Sequence, residues 1–263
     1  MPPVPRHTPG TFCWWELATT DADSAYRFYQ TLFGWGKTDL PIGPDEFYRM
    51  VSLDGLHVGA MHQPKEPLKH PPAWLSYIAV SSADATAAKI AAAGGTILAP
   101  PFDVFDSGRM AIFQDTEGAT AAIWQPNQHQ GAGIIGENNA VCWTELAAKD
   151  AARARAFYTK AFDWTASVKP MGPMGDYTEW GAAGAAQTFG GMLQMDAQWG
   201  EMPAHWMVYF KVSDCDVSAA AAKQAGGNVM VEPFDAPGVG RIAVMSDPTG
   251  AAFSIIHLTM AGR

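Results

Sequence analysis

The chain has 263 residues, of which 48% are apolar and 11% aromatic, enough to fill two ordinary domain cores. Against 26 Asp and Glu stand 17 scattered Lys and Arg, giving a formal net charge of −9 and a pI near 5.1. Phosphate recognition needs clustered cations, so nucleic acid is excluded as a partner.

Cys13, Cys142 and Cys215 have no CxxC or framework spacing. This removes zinc ribbons and thioredoxin-like chemistry and suits a reducing cytoplasm. The opening MPPVPRHTPG is too Pro-rich and polar for a signal peptide, and no apolar run is long enough to span a membrane. The expectation is a cytoplasmic protein with no membrane partner.

After an arm over residues 1–10, the aromatic run Phe12–Ala18 reads as a strand. Thr20 or Asp21 caps a helix reaching about Phe33, with Tyr26, Tyr29 and Phe33 at helical spacing and Gly34 at its C′ position. Glu46–Leu53 and His57–His62 read as strands joined by an Asp54-Gly55 turn. Gln63–Pro72 is a Pro-bearing connection. A second unit follows, with a strand at Trp74–Val80 and an Ala-rich helix at Ala83–Ala93 stopped by Gly94-Gly95. Short strands near Thr96–Ala99, Arg109–Gln114 and Thr120–Gln125 complete it, with a turn at Asp115–Gly118. Asn127–Asn139, rich in Gly and Asn, reads as a linker.

The chain then repeats itself. Cys13–Trp35 and Cys142–Trp164 align without a gap, sharing the Cys-Trp pair, Glu16/Glu145, Asp21/Asp150, Phe28-Tyr29/Phe157-Tyr158 and Trp35/Trp164. Further on, Trp74 and Tyr77 match Trp206 and Tyr209, Gly108-Arg109 match Gly240-Arg241, and Asp115 and Gly118 match Asp247 and Gly250. A unit this long is a duplicated domain, not a solenoid repeat. The class is α+β, with domains at 11–126 and 140–263 and a linker at 127–139. Each domain holds two βαβββ modules.

Paired βαβββ modules with a strand–Asp–Phe-Tyr opening and an Asp-x-x-Gly turn resemble the vicinal oxygen chelate superfamily of glyoxalases, bleomycin resistance proteins and extradiol dioxygenases. Asp247-Pro248-Thr249-Gly250 fits that turn, and Asp115-Thr116-Glu117-Gly118 is a looser copy. The resemblance implies that each half curls a mostly antiparallel sheet around a cavity. In metal-dependent members it places three ligands per cavity at positions that here hold Trp14, Leu75 and Ala122, and Trp143, Met207 and Ser254. None is a competent divalent-metal ligand. The expectation is therefore no metal and no cofactor.

Glu16 and Glu145 lie two residues beyond Trp14 and Trp143 and so share their strand face. A carboxylate in an aromatic pocket should have a raised pKa and could serve as acid or base; an edge-exposed or backbone-capping Glu is the other reading. His205, on the face of Met207, could approach Glu145 as an acid–base dyad or a displaced two-ligand metal site, or sit at a pocket rim. His7, His70 and His129, in connections, read as solvated. Arg109 and Arg241 could clamp an anion or pair with Asp103 and Asp235. Tyr48, Tyr77, Tyr177, Tyr209, Trp14, Trp143 and Trp180 furnish an apolar, stacking-prone lining with Met207 and Ser254.

Three functions follow as expectations. One is a metal-independent protein binding a planar or amphipathic metabolite or antibiotic. Another is an atypical lyase, isomerase or glyoxalase-like enzyme using Glu145 and His205. The last is an interaction or regulatory protein with vestigial cavities. The expected partner is a small molecule, and the chain is a monomer or homodimer.

Overall fold

The opening strand β1 (Phe12–Ala18) sends Trp14 and Glu16 to one face and Cys13, Trp15 and Leu17 to the other. In this computed structural model the described residues are 4, 6–171, 175–185 and 187–259. Part of the expected arm at 1–10, and the end of the second domain at 260–263, lie outside them.

Helix α1 (Ala22–Phe33) starts where the Asp21 side chain accepts from the Asp23 and Ser24 amides, and ends at Gly34 with φ 73°. Its apolar stripe buries Ala25, Phe28, Tyr29 and Phe33. Strands β2 (Gly36–Gly43), β3 (Glu46–Leu53) and β4 (Leu56–His62) complete the first module. The second comprises β5 (Ala73–Ala79), α2 (Ala83–Ala92), β6 (Thr96–Val104), β7 (Gly108–Gln114) and β8 (Thr120–Pro126). All eight strands join one sheet in the order β2-β3-β4-β1-β5-β8-β7-β6. Only β1–β4 and β5–β8 are parallel pairs.

The second half rebuilds this with β9 (Val141–Ala148), α3 (Ala151–Phe162), β10 (Thr165–Pro170), β11 (Asp176–Gly181) and β12 (Gly190–Gln194). It continues with β13 (His205–Lys211), α4 (Cys215–Gln224), β14 (Asn228–Ala236), β15 (Gly240–Ser246) and β16 (Ala252–Leu258). The sheet order is the same, β10-β11-β12-β9-β13-β16-β15-β14.

Two elements differ from the sequence reading. Gly36–Gly43, which carries Lys37, Asp39 and Pro41, is an exposed edge strand whose polar composition hid it. Thr96–Ala99 extends to Val104, because bulges around Pro100-Pro101 let the strand continue past residues that cannot donate.

The helix-bearing faces of the two halves meet, α1 against α4 and α2 against α3. Trp15, on that face, donates its indole N–H to Thr144 Oγ1 at 3.0 Å. The duplicated Tyr and turn Asp latch the halves together. Tyr158 donates to Asp115 Oδ2 at 2.9 Å while accepting from the Trp206 indole at 2.9 Å. In the mirror set Tyr29 stands near Asp247, whose buried Oδ2 has no hydrogen-bond partner among the described residues, and the Trp74 indole donates to Tyr29 at 2.9 Å. Much of the repeated motif is therefore interface. The opposite sheet faces, which carry Trp14 and Trp143, remain as two cups.

Candidate functional site

Each cup is floored by a hydrogen-bonded tetrad. In the first, Tyr48 donates to Glu16 Oε2 at 2.8 Å and Tyr77 donates to the same oxygen at 3.0 Å. The Trp14 indole donates to Tyr48 Oη at 2.9 Å. In the second, Tyr177 donates to Glu145 Oε2 and Tyr209 to Glu145 Oε1, both at 2.6 Å, and the Trp143 indole donates to Tyr177 at 2.8 Å. Strand register makes this geometry. Trp14 lies opposite Tyr77 and Trp143 opposite Tyr209, so rings and carboxylate emerge on one face.

Burial raises the Glu145 carboxyl above its ordinary range, and its two tyrosine donors only partly oppose this. Burial, then the neighbouring carboxylate, holds Tyr48, Tyr77, Tyr177 and Tyr209 well above the usual phenol value. All four hydroxyls therefore stay protonated as donors.

The structure brings together Trp14, Glu16, Tyr48 and Tyr77, and Trp143, Glu145, Tyr177 and Tyr209. Met207 lies opposite Glu145 and Ser254 opposite Tyr209, on the same face. The proposed Glu145–His205 dyad does not form. His205 lies opposite Ala147, one rung past Glu145, and its Nδ1 bonds the Pro203 carbonyl at 2.9 Å. Both Glu145 oxygens are taken by tyrosine. Trp180 is also reassigned, being wholly buried core against Tyr158 and Trp164. Arg109 spans Asp84 at 2.8 and 2.9 Å and Asp103 at 3.0 Å, and Arg241 repeats this with Asp216 and Asp235. A depression of about 320 Å³ beside Arg109 thus meets a guanidinium already committed to carboxylates.

The cups are not equal. In the first sheet the rung through the carboxylate reads Met50, Ala60, Glu16, Leu75; in the second it reads Glu179, Gly191, Glu145, Met207. Glu179 is buried and accepts from Lys169 Nζ at 2.7 Å. Lys169 stands where the first sheet has Leu40, and Ser254 where it has Ala122. Sequence reasoning missed Glu179, although it lies two residues past Tyr177 and so on the same face.

In the first cup Trp14 is also covered. His129 of the linker packs edge-on against Trp14, with centroids 4.4 Å apart at 84°, and its carbonyl accepts from the Trp124 indole at 2.9 Å. His57 lies 6.2 Å from that ring. His7 anchors the arm beside it through Ala132 O at 2.9 Å. The expectation of solvated His7 and His129 is thereby corrected. Burial, then the nearby His57 and His7, pushes His129 down to about 4, so its ring is neutral at neutral pH.

The six positions expected to hold metal offer only Ser254 as an oxygen donor. Among the described residues no group of three His, Cys, Asp or Glu is placed to hold a metal ion. The residues present therefore do not fit the metal of the metal-dependent members.

The family profile for the glyoxalase/bleomycin resistance protein/dioxygenase superfamily matches residues 11–123 and 140–255. The chain belongs to this superfamily. It is 40% identical over 259 residues to "Putative glyoxylase CFP32" of Mycobacterium tuberculosis, covering 97% of this chain and 98% of that protein. It is 33% identical over 273 residues to "Anthracycline biosynthesis protein DnrV" of Streptomyces peucetius, covering 96% and 95%. In fold it is similar to a Mn(II)-bound glyoxalase from Novosphingobium aromaticivorans (TM-score 0.64, 15% identity, covering 97% and 86%). It is likewise similar to a 2,3-dioxygenase, LapB, from Pseudomonas sp. KL28 (TM-score 0.64, 14% identity, covering 98% and 93%). Superfamily scaffold and superfamily metal site are separable here, as fold and chemistry generally are.

Proposed function

We propose that this protein binds a planar or amphipathic small molecule without a metal, holding it against an aromatic cup floor. The observation that carries this reading is the Trp–Tyr–Glu–Tyr tetrad, formed in both halves where the scaffold's metal-ligand positions hold no ligand set. The tetrad presents ring faces and edges together with a carboxylate whose remaining lone pairs can accept from a ligand N–H or O–H. Around it in the second cup, Met207, Ile242 and Val244 are half-buried, and Val231 and Phe234 are exposed. Such a face suits a flat ring system with a few polar substituents. Anthracyclines, the class in the Streptomyces relatives' names, have this shape.

A second reading keeps Glu145 as an acid or base in an atypical enzyme, favoured by its burial-raised carboxyl. His205 would then act through a ligand, not through direct contact with Glu145. Titration of an anthracycline aglycone into wild type, Glu145→Gln and His205→Ala separates the two. The binding reading expects saturable binding that weakens in Glu145→Gln, with the aglycone recovered unchanged. Turnover abolished by either substitution, with affinity kept, would establish the enzyme instead.

A further inference from the structure

The two tetrads share their residue types and differ at the carboxylate. Both tyrosine hydroxyls of the first go to Glu16 Oε2, so Oε1 accepts no hydrogen bond from a described residue. In the second, each Glu145 oxygen takes one tyrosine. Glu16 and the neighbouring Tyr48 are half-buried, whereas Glu145 is 8% exposed. One carboxylate oxygen of the first cup is thus left free beside a tyrosine ring.

No cation on the strands of that sheet compensates it. Their basic residues, Lys37, Arg49 and Arg109, all alternate onto the opposite face. Each is already paired, Lys37 and Arg49 with Asp39, and Arg109 with Asp84 and Asp103. The imidazoles near Trp14 add no charge at neutral pH, because burial holds His7, His57 and His129 below the ordinary value. The second cup differs here too, since it carries its own cation, Lys169, on Glu179. A partly desolvated carboxylate with no cation of its own favours one brought by the ligand. The rest of the first cup face is apolar near Glu16. Leu75 and Ile112 are half-buried there, and Leu40 and Phe102 are exposed.

We propose that the first cup binds an aromatic ligand bearing an organic ammonium group, which donates to Glu16 Oε1 beside the Tyr48 ring. This rests on the binding reading above and adds the charge of the ligand and the residue that reads it. The carboxylate supplies a charge-assisted hydrogen bond, and the tyrosine ring a cation–π contact. The aromatic body lies along Leu75, Ile112 and the exposed Leu40 or Phe102.

The test uses the full-length chain and two probes of the same shape. Anthracenylmethylamine is an ammonium at neutral pH, and anthracenylmethanol is uncharged. Titrations are read by anthracene fluorescence anisotropy at physiological salt, which screens the long-range field of the acidic chain. Wild type should bind the amine about tenfold more tightly than the alcohol, the size of one charge-assisted hydrogen bond. Glu16→Gln should remove that preference. Should this variant unfold, Leu75→Lys serves instead. It sets a cation opposite Glu16 on the half-buried neighbouring position and should remove the preference likewise. Equal binding of the two probes by wild type would overturn the proposal while leaving the binding reading intact. So would a preference for the amine that survives both substitutions. No binding of either probe would overturn both.

Discussion

The two halves share their latches and differ in their cups. At the interface each copy contributes the same Trp, Tyr and Asp: Trp206–Tyr158–Asp115 on one side, Trp74 and Tyr29 facing Asp247 on the other. Away from it the first cup has His129 packed on Trp14 and carries Met50, Leu40 and Ala122 where the second carries Glu179, Lys169 and Ser254. Duplication copies whatever holds the halves together, because each copy needs the other. The outer faces carry no such reciprocal demand and have diverged.

The latches should give the largest effect. Asp115 accepts from Tyr158 and from the Glu117 and Ala119 amides at 2.8 and 2.9 Å. Asp115→Ala would leave these donors buried and unpaired, at a cost of about 3 kcal/mol in urea denaturation. Asp247→Ala should cost a similar amount, and a clear inequality would break the symmetry argued for the interface.

The next effect lies in the cups. A Cβ at Gly191 would collide with the Tyr177 hydroxyl, whereas the first sheet has Ala60 at that place. Gly191→Ala should push Tyr177 off Glu145 and cost about 1–3 kcal/mol. Ala60→Gly should cost only about 0.5–1 kcal/mol, from chain entropy. Equal losses by thermal denaturation would mean that the tetrads are packed alike.

Glu145 gives a smaller, pH-dependent effect. Its folded pKa is raised, so the folded chain holds this proton more tightly than the unfolded chain does. The group's contribution falls as pH rises from its ordinary 4.5 through the raised value, and is level above it. The stability of Glu145→Gln relative to wild type should therefore improve with rising pH across that window, read from denaturation midpoints. A difference independent of pH would refute the raised carboxyl assigned to Glu145. The smallest effect is expected at the exposed Arg109 and Arg241 networks. Arg109→Ala and Arg241→Ala should leave stability near wild type and small-molecule affinity unchanged, because screened surface pairs contribute little.

Much of this was legible in the sequence. The repeated Cys-Trp-x-Glu strand and Phe-Tyr helix announced the duplication, and period-two alternation put Trp14 with Glu16 and Trp143 with Glu145 on one face. The tyrosines followed from the same alternation. What the sequence hid was contact between distant parts. Nothing local shows that Tyr158 would find Asp115 in the other half, or that His129, in a Gly-rich linker, would fold back onto Trp14. His205 was misplaced because strand register, set by the whole β9–β13 ladder, puts it one rung beyond Glu145.

The most direct test of metal-free small-molecule binding is native mass spectrometry of the untagged chain, with elemental analysis of the same sample. The account predicts a chain that carries or takes up an organic ligand, with transition metal far below one equivalent. A metal near one equivalent per chain, lost together with ligand binding on chelation, would contradict it.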